Sequence, residues 1–163
     1  MLNIRAIYYN SINESLYVYQ SRSHPIYHSE TNCLCGAVKI IAEEVNPKFT
    51  VCHCRSCRTW GGSSFFAVKC GTRVKIEGED KVKMYESSSW ASRGFCAECG
   101  THLFYKFKAS GEYNIPVGLF QNLKGLEMDM QYFSDMRPSY YCFTNTTKEM
   151  TTAEVMAYFS AKV

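Results

Sequence analysis

The sequence predicts a mainly β domain organised around metal-bound thiols, and three observations carry that prediction. From Cys33 onward, short runs alternate apolar and polar residues; cysteines fall in tight groups; and helical periodicity is confined to the C-terminus. The chain of 163 residues, 46% hydrophobic and 15% aromatic, is long enough for one hydrophobic core.

Taken in order, residues 1–28 hold five of the twelve tyrosines and no cysteine, and read as an N-terminal extension. Residues 29–145 form the predicted metal-binding domain. Strands are expected over 37–43, 49–52, 64–69 and 130–133. The strictest alternation, RVKIE at 73–77 and KVKMY at 81–85, flanks Gly78-Glu79-Asp80 and reads as a hairpin. A second hairpin joins 102–107 to 113–117, with Pro116 at a strand end or edge because it has no N–H to give to a ladder. Over 146–163, Thr146 and Glu149 form a capping box ahead of Met150, Ala153, Met156, Ala157 and Phe159, predicting a C-terminal helix packed on the domain.

Charge and targeting signals narrow the function classes. Lys plus Arg number 18 against 15 Asp plus Glu, a net charge of +3 with no run of four basic residues. Neither a nucleic-acid footprint nor attraction to an anionic membrane is expected. The absence of an apolar leader or of ~20 consecutive apolar residues points to the cytoplasm. There the nine cysteines mostly stay reduced, and the seven that fall in tight groups read as metal ligands rather than disulfides.

Seven cysteines carry the chemistry. Cys33-Leu34-Cys35-Gly36 and Cys96-Ala97-Glu98-Cys99-Gly100 are pairs followed directly by glycine, which would relieve crowding where the backbone turns around an ion. Together they supply the four thiolates of a structural zinc site that ties two distant strand ends. Cys52, Cys54 and Cys57 then stand as a separate group on one short loop, three sulfurs with a position left open for chemistry. Spacing alone leaves open the pairing of Cys96 and Cys99 with two of these three, and cysteine-only ligands also suit iron–sulfur clusters.

A zinc ion with three thiolates carries a net negative charge, so it is a poor activator of water and better suited to binding an incoming thiol as thiolate. Arg55 and Arg58 lie among these ligands, where they could offset the charge or hold a substrate carboxylate, and Gly61 would admit a close ligand. His53, between two ligands, should point to the opposite side of an extended chain and serve a polar supporting role. Cys70 and Cys142 read as small buried hydrophobes.

Three motifs, CLCGAVKI at 33–40, CHCRSCRTWGG at 52–62 and SSSWASRGFCAECGTHLFY at 87–105, resemble in order and spacing the glutathione-dependent formaldehyde-activating enzyme family, which includes centromere-protein-V-like proteins. The resemblance runs over about residues 31–141. It implies an Mss4-like, β-tent fold with two zinc ions per chain. Cys33, Cys35, Cys96 and Cys99 match the structural ligands, and Cys52, Cys54 and Cys57 the catalytic-type site. It further implies glutathione as co-substrate and a small aldehyde, formaldehyde, as its partner in carbon–sulfur lyase chemistry. A homodimer is compatible with this reading. The contrasting reading is a non-catalytic zinc-stabilised Mss4-like protein-binding module, for which the four-cysteine site alone would suffice.

Overall fold

The computed structural model describes residues 26–160, so all but the end of the predicted N-terminal extension lies outside the described residues. Among these residues the chain forms β1 (Tyr27–Asn32), β2 (Lys39–Val45), β3 (Lys48–Cys52), α1 (Arg55–Gly61), β4 (Phe65–Lys69), β5 (Val74–Glu77), β6 (Val82–Tyr85), β7 (Ala91–Cys96), β8 (His102–Phe107), β9 (Tyr113–Pro116), β10 (Glu127–Tyr132), β11 (Lys148–Met150) and α2 (Thr152–Ser160). The mainly β prediction is correct. No helix among the described residues is long and apolar enough to cross a membrane.

The strands make two sheets. One has the order β1-β2-β5 and the other β11-β10-β3-β4-β9-β8-β7-β6. Strand β10 runs parallel to both β3 and β11, and the remaining pairs are antiparallel. Side chains alternate across each strand, so every strand of the large sheet serves two surfaces. One surface packs on the small sheet: Val68, Leu103, Phe104 and Ile115 join Val38, Ile40, Ala42 and Val45 in the core. A bulge opposite Gly94 and Phe95 lets the consecutive residues Leu103 and Phe104 both enter that core, and returns His102 to the other surface.

That other surface is concave. Phe159 of α2 stacks near Phe107 on β8 and near Tyr132 on β10, with centroids 5.9 and 6.4 Å away, although three strands separate β8 from β10 in the sheet order. The sheet therefore curls toward this side, and α2 covers part of the hollow.

The second predicted hairpin is present: Tyr105 pairs with Asn114 and Lys106 with Tyr113, and Pro116 ends β9. The first is not. β5 pairs with β2 in the small sheet and β6 with β7 in the large one. Gly78, at φ 78°, starts a 3₁₀ turn over Glu79–Lys81 whose backbone closes against the Ala37 carbonyl, redirecting the chain between sheets. Alternation recorded two half-buried strands correctly but not their partners.

The C-terminal helix begins later than the sequence suggests. Residues 148–150, placed in the helix by the sequence reading, pair with β10 as a parallel strand. The capping box is Thr151 with Glu154: the Thr151 N–H and hydroxyl both donate to Glu154 Oε2 at 2.7 Å, and the Glu154 N–H donates back to Thr151 Oγ1. Asp135 adds a tether by accepting from the Thr152 N–H and hydroxyl.

Candidate metal centres and the open thiol site

Cys33 follows the end of β1 and Cys96 ends β7, so the first cysteine cluster lies where the two sheets meet. Cys33 and Cys96 are buried in the core. The sulfurs of Cys33, Cys35, Cys96 and Cys99 lie within 4.8 Å of one another. Two of the separations are 3.5 Å, Cys33 to Cys35, and 3.8 Å, Cys35 to Cys96. Four thiolates at about 2.3 Å around a tetrahedral zinc stand about 3.8 Å apart, so the cage has the size such an ion requires.

Gly36 and Gly100 take φ of 78° and 73°, and a Cβ on either would meet nothing within 4 Å. The glycines are needed for left-handed backbone, not to relieve crowding as the sequence suggested. The protons in this cluster are unevenly held. Hydrogen bonds from the Thr101 hydroxyl and backbone pull Cys99 down to about 5. Cys35 is pushed up to about 12: the Ala37 backbone acts against this, but the neighbouring sulfurs of Cys33 and Cys99, with burial, outweigh it.

The second cluster is built on the concave face. Cys52 ends β3; Cys54 is the N-cap of α1, its sulfur accepting from the Cys57 N–H at 3.5 Å; and Cys57 lies buried in the helix's first turn. The segment expected to be a loop is thus a short helix, closed by Gly62 in the left-handed conformation at φ 74°. The three sulfurs lie within 4.8 Å of one another, and no other Cys, His, Asp or Glu among the described residues joins the group.

His53 turns away, as alternation predicted. It is fully buried, its Nε2 2.8 Å from the Gln131 amide oxygen and its Nδ1 2.8 and 2.9 Å from the Tyr141 and Ser64 hydroxyls. With an amide oxygen on Nε2, that nitrogen must carry the proton and Nδ1 must accept. Its backbone carbonyl accepts from Arg58 Nε at 2.8 Å, which fixes the root of that guanidinium beside the thiols. Arg55 and Gly61 are exposed on α1.

Arg93 lies in the third motif that carries the resemblance, but no role for it follows from the sequence alone. It is only 3% exposed, and its Nη2 donates to Cys57 Sγ at 3.3 Å. Its guanidinium lies 4.9 Å from the centre of the Tyr105 ring, with Trp60 and Phe65 at 5.8 and 5.9 Å. No carboxylate among the described residues pairs with this buried cation, so the thiol cluster is its counter-charge. Within the cluster, hydrogen bonds from Cys52 and Cys57 draw Cys54 strongly toward thiolate, while those from Cys54 and Cys57 hold Cys52 protonated. Cys57 is raised as well: its bond with Cys52 acts downward, but Cys54 and burial prevail.

Of the remaining cysteines, Cys70 is fully buried and burial pushes its thiol up to about 12, as expected of a small hydrophobe. Cys142, expected to be buried, is exposed because it lies in the irregular segment between β10 and β11, away from the core.

Comparison with known proteins finds a family, a curated relative and a solved structure of similar fold. The profile of a family described as glutathione-dependent formaldehyde-activating enzyme matches residues 28–136, which contain all seven clustered cysteines. An uncharacterized lyase of Schizosaccharomyces pombe is 38% identical over 128 residues, covering 78% of this chain and 93% of the relative. The crystal structure of a Rhodobacter sphaeroides protein, 23% identical, superposes with a TM-score of 0.51 over 60% of this chain and 92% of its own, a likeness of fold.

Proposed function

Because the chain belongs to the glutathione-dependent formaldehyde-activating enzyme family, we propose that it is a zinc-dependent carbon–sulfur lyase that adds glutathione to formaldehyde or a related small aldehyde. Cys33, Cys35, Cys96 and Cys99 would hold a structural zinc, and Cys52, Cys54 and Cys57 a second one. The observation that carries the reading is the second cluster itself: three sulfurs gathered without a fourth ligand among the described residues, with a buried guanidinium aimed at one of them.

The reaction forms one carbon–sulfur bond, moves the thiol proton to the carbonyl oxygen and involves no change in oxidation state. When bound, the zinc supplies a site at which a thiol is stabilised as thiolate. The chain's own residues do the rest. Arg93 holds positive charge against Cys57 and limits the build-up of negative charge among the sulfurs. Arg58, with Nε committed to the His53 carbonyl, keeps its terminal nitrogens for an anionic group, either a substrate carboxylate or the oxygen that gains negative charge during addition. Phe65, Tyr105 and Trp60, around Arg93, form an apolar wall beside the cluster that restricts water. Thiol and aldehyde combine readily in solution, so the advantage lies mainly in holding the two together. Arg55 and Gly61 flank the site as further contacts for a thiol substrate. A reducing compartment such as the cytoplasm keeps the thiols available.

Exchange spectroscopy on formaldehyde mixed with glutathione tests the proposal. Added protein should raise the exchange rate above the enzyme-free rate, and Cys54→Ser should abolish the increase. An unchanged rate with native, zinc-loaded protein would reject the lyase reading in favour of a binding module.

A further inference from the structure

Among the rings around Arg93, Tyr105 carries a hydroxyl, and the fold holds that ring firmly. Tyr105 lies directly across from Arg93 in the β7–β8 register. Opposed side chains of an antiparallel pair stand roughly 5 Å apart at Cβ, so strand register, not a loop, sets this contact. The Arg93 guanidinium lies 4.9 Å from the centre of the Tyr105 ring, and the Phe107 ring meets it edge-on at 5.1 Å. The same guanidinium reaches Cys57 Sγ at 3.3 Å. One cation therefore contacts both the sulfur cluster and the ring that bears the phenol.

The surroundings of the hydroxyl set its state and its direction. Burial pushes the phenol up to about 12, against the opposing effects of Trp90 and Arg93, and the charges of Cys57 and Cys52 add to the rise. The phenol keeps its hydrogen at neutral pH. The hydrogen bond from Trp90 comes from an indole N–H, which can only donate, so it occupies a lone pair of the phenol oxygen and leaves the phenol hydrogen for another acceptor. Tyr132 is a second phenol near the cluster, raised by burial together with Tyr158, Asp129 and Cys52. Negative charge developing beside Tyr132 would face the Asp129 carboxylate, whereas beside Tyr105 it would face the Arg93 cation.

We propose that Tyr105 is a catalytic residue: its hydroxyl donates a hydrogen bond to the aldehyde oxygen while a thiol sulfur adds to the carbonyl carbon. The inference rests on the lyase reading above and goes further by naming the donor to the oxygen that gains charge. In the addition the carbon–sulfur bond forms as the carbonyl π bond breaks. The electron pair of that π bond goes to oxygen, which then takes from solvent the equivalent of the proton the thiol gave up. Tyr105 keeps its own hydrogen throughout, and nothing is oxidised or reduced. A neutral donor bonds more strongly to an oxygen that carries charge than to the ground-state carbonyl, so the hydroxyl favours the transition state over substrate binding.

Tyr105→Phe removes one oxygen atom and keeps the ring between Arg93 and Phe107. In the zinc-loaded full chain, kcat for glutathione–formaldehyde addition should fall at least about tenfold while KM stays within about twofold of native. An unchanged melting temperature and both zinc ions retained would show the variant folded. Isotope-edited infrared spectroscopy with S-acetylglutathione, labelled with carbon-13 at its carbonyl, gives a readout that needs no turnover. Its carbonyl carbon is bonded to sulfur, as in the adduct, and the carbonyl band should move to lower frequency on the native protein and stay at its solution position on Tyr105→Phe. An unshifted band on the native protein, an equal shift on the variant, or native kcat in the variant would overturn the proposal. Failure of the lyase reading shows differently: the native protein then leaves exchange unaccelerated, while a band shift lost in Tyr105→Phe still identifies Tyr105 as donor to a bound carbonyl.

Discussion

Replacing Arg93 with methionine should weaken the second metal site without disturbing the first. The Arg93 side chain is buried, donates to Cys57 Sγ at 3.3 Å and packs among Tyr105, Trp60 and Phe65. Methionine keeps most of the apolar volume and removes both the donor and the charge. A hydrogen bond to a charged group contributes about 1.5–3 kcal/mol. At 1.4 kcal/mol per tenfold, that is roughly a 10- to 150-fold loss of zinc affinity at the Cys52–Cys54–Cys57 site. The range overlaps the 10- to 100-fold losses typical when a ligand's supporting partner is removed. Chelator competition, titrated until each zinc is released in turn, measures the two affinities separately, with circular dichroism as the check on folding. Lysine at this position should recover part of the loss. Equal affinity of native and Arg93→Met protein at the weaker site would refute the argument that the guanidinium supports the thiol cluster. So would a loss confined to the stronger site.

Other perturbations separate the two clusters and the elements that position them. Cys54→Ser should leave the fold and the first zinc intact while the second is lost, since serine is a preferred N-cap and α1 keeps its start; metal analysis alongside a melting curve decides this. Cys96→Ser should instead lower the melting temperature markedly, because that thiol is fully buried where the sheets join. Gly94→Ala should destabilise by about 1–3 kcal/mol in urea unfolding, because a Cβ there would fall within the buried Phe104 ring. Thr151→Ala should cost the C-terminal helix about 1 kcal/mol. Its signature is faster hydrogen exchange in α2, with the core strands unchanged.

Local periodicity made most strands legible, because a half-buried strand must alternate whatever its partner. Partner choice was not legible: RVKIE and KVKMY separate because Gly78 turns the chain back toward Ala37, a contact between segments distant in sequence. The short cysteine groups were legible from spacing, since each pair or triplet constrains its own sulfurs, but which groups share a cluster was left open by spacing and depends on the fold; the orientation of His53 followed from alternation. Helix α1 was missed because seven residues with two arginines, a tryptophan and a terminal glycine carry little helical periodicity. Arg93 was missed for a related reason. It sits in a polar run, SSSWASRG, whose burial depends on aromatics supplied by α1, β4 and β8. The usable signal was an arginine alternating with small residues ahead of a cysteine pair, which places a long cation on one face of a strand.

A metal held by Cys52, Cys54 and Cys57 should have a remaining position that receives a thiol. X-ray absorption at the zinc edge, on fully loaded protein before and after addition of glutathione, addresses it directly. Two zinc ions per chain are expected, one bound by four sulfurs throughout and the other gaining a fourth sulfur when glutathione is added, a gain absent in Cys54→Ser. Sulfur coordination that does not change on adding glutathione, or a single zinc with the three cysteines open to alkylation, would contradict it.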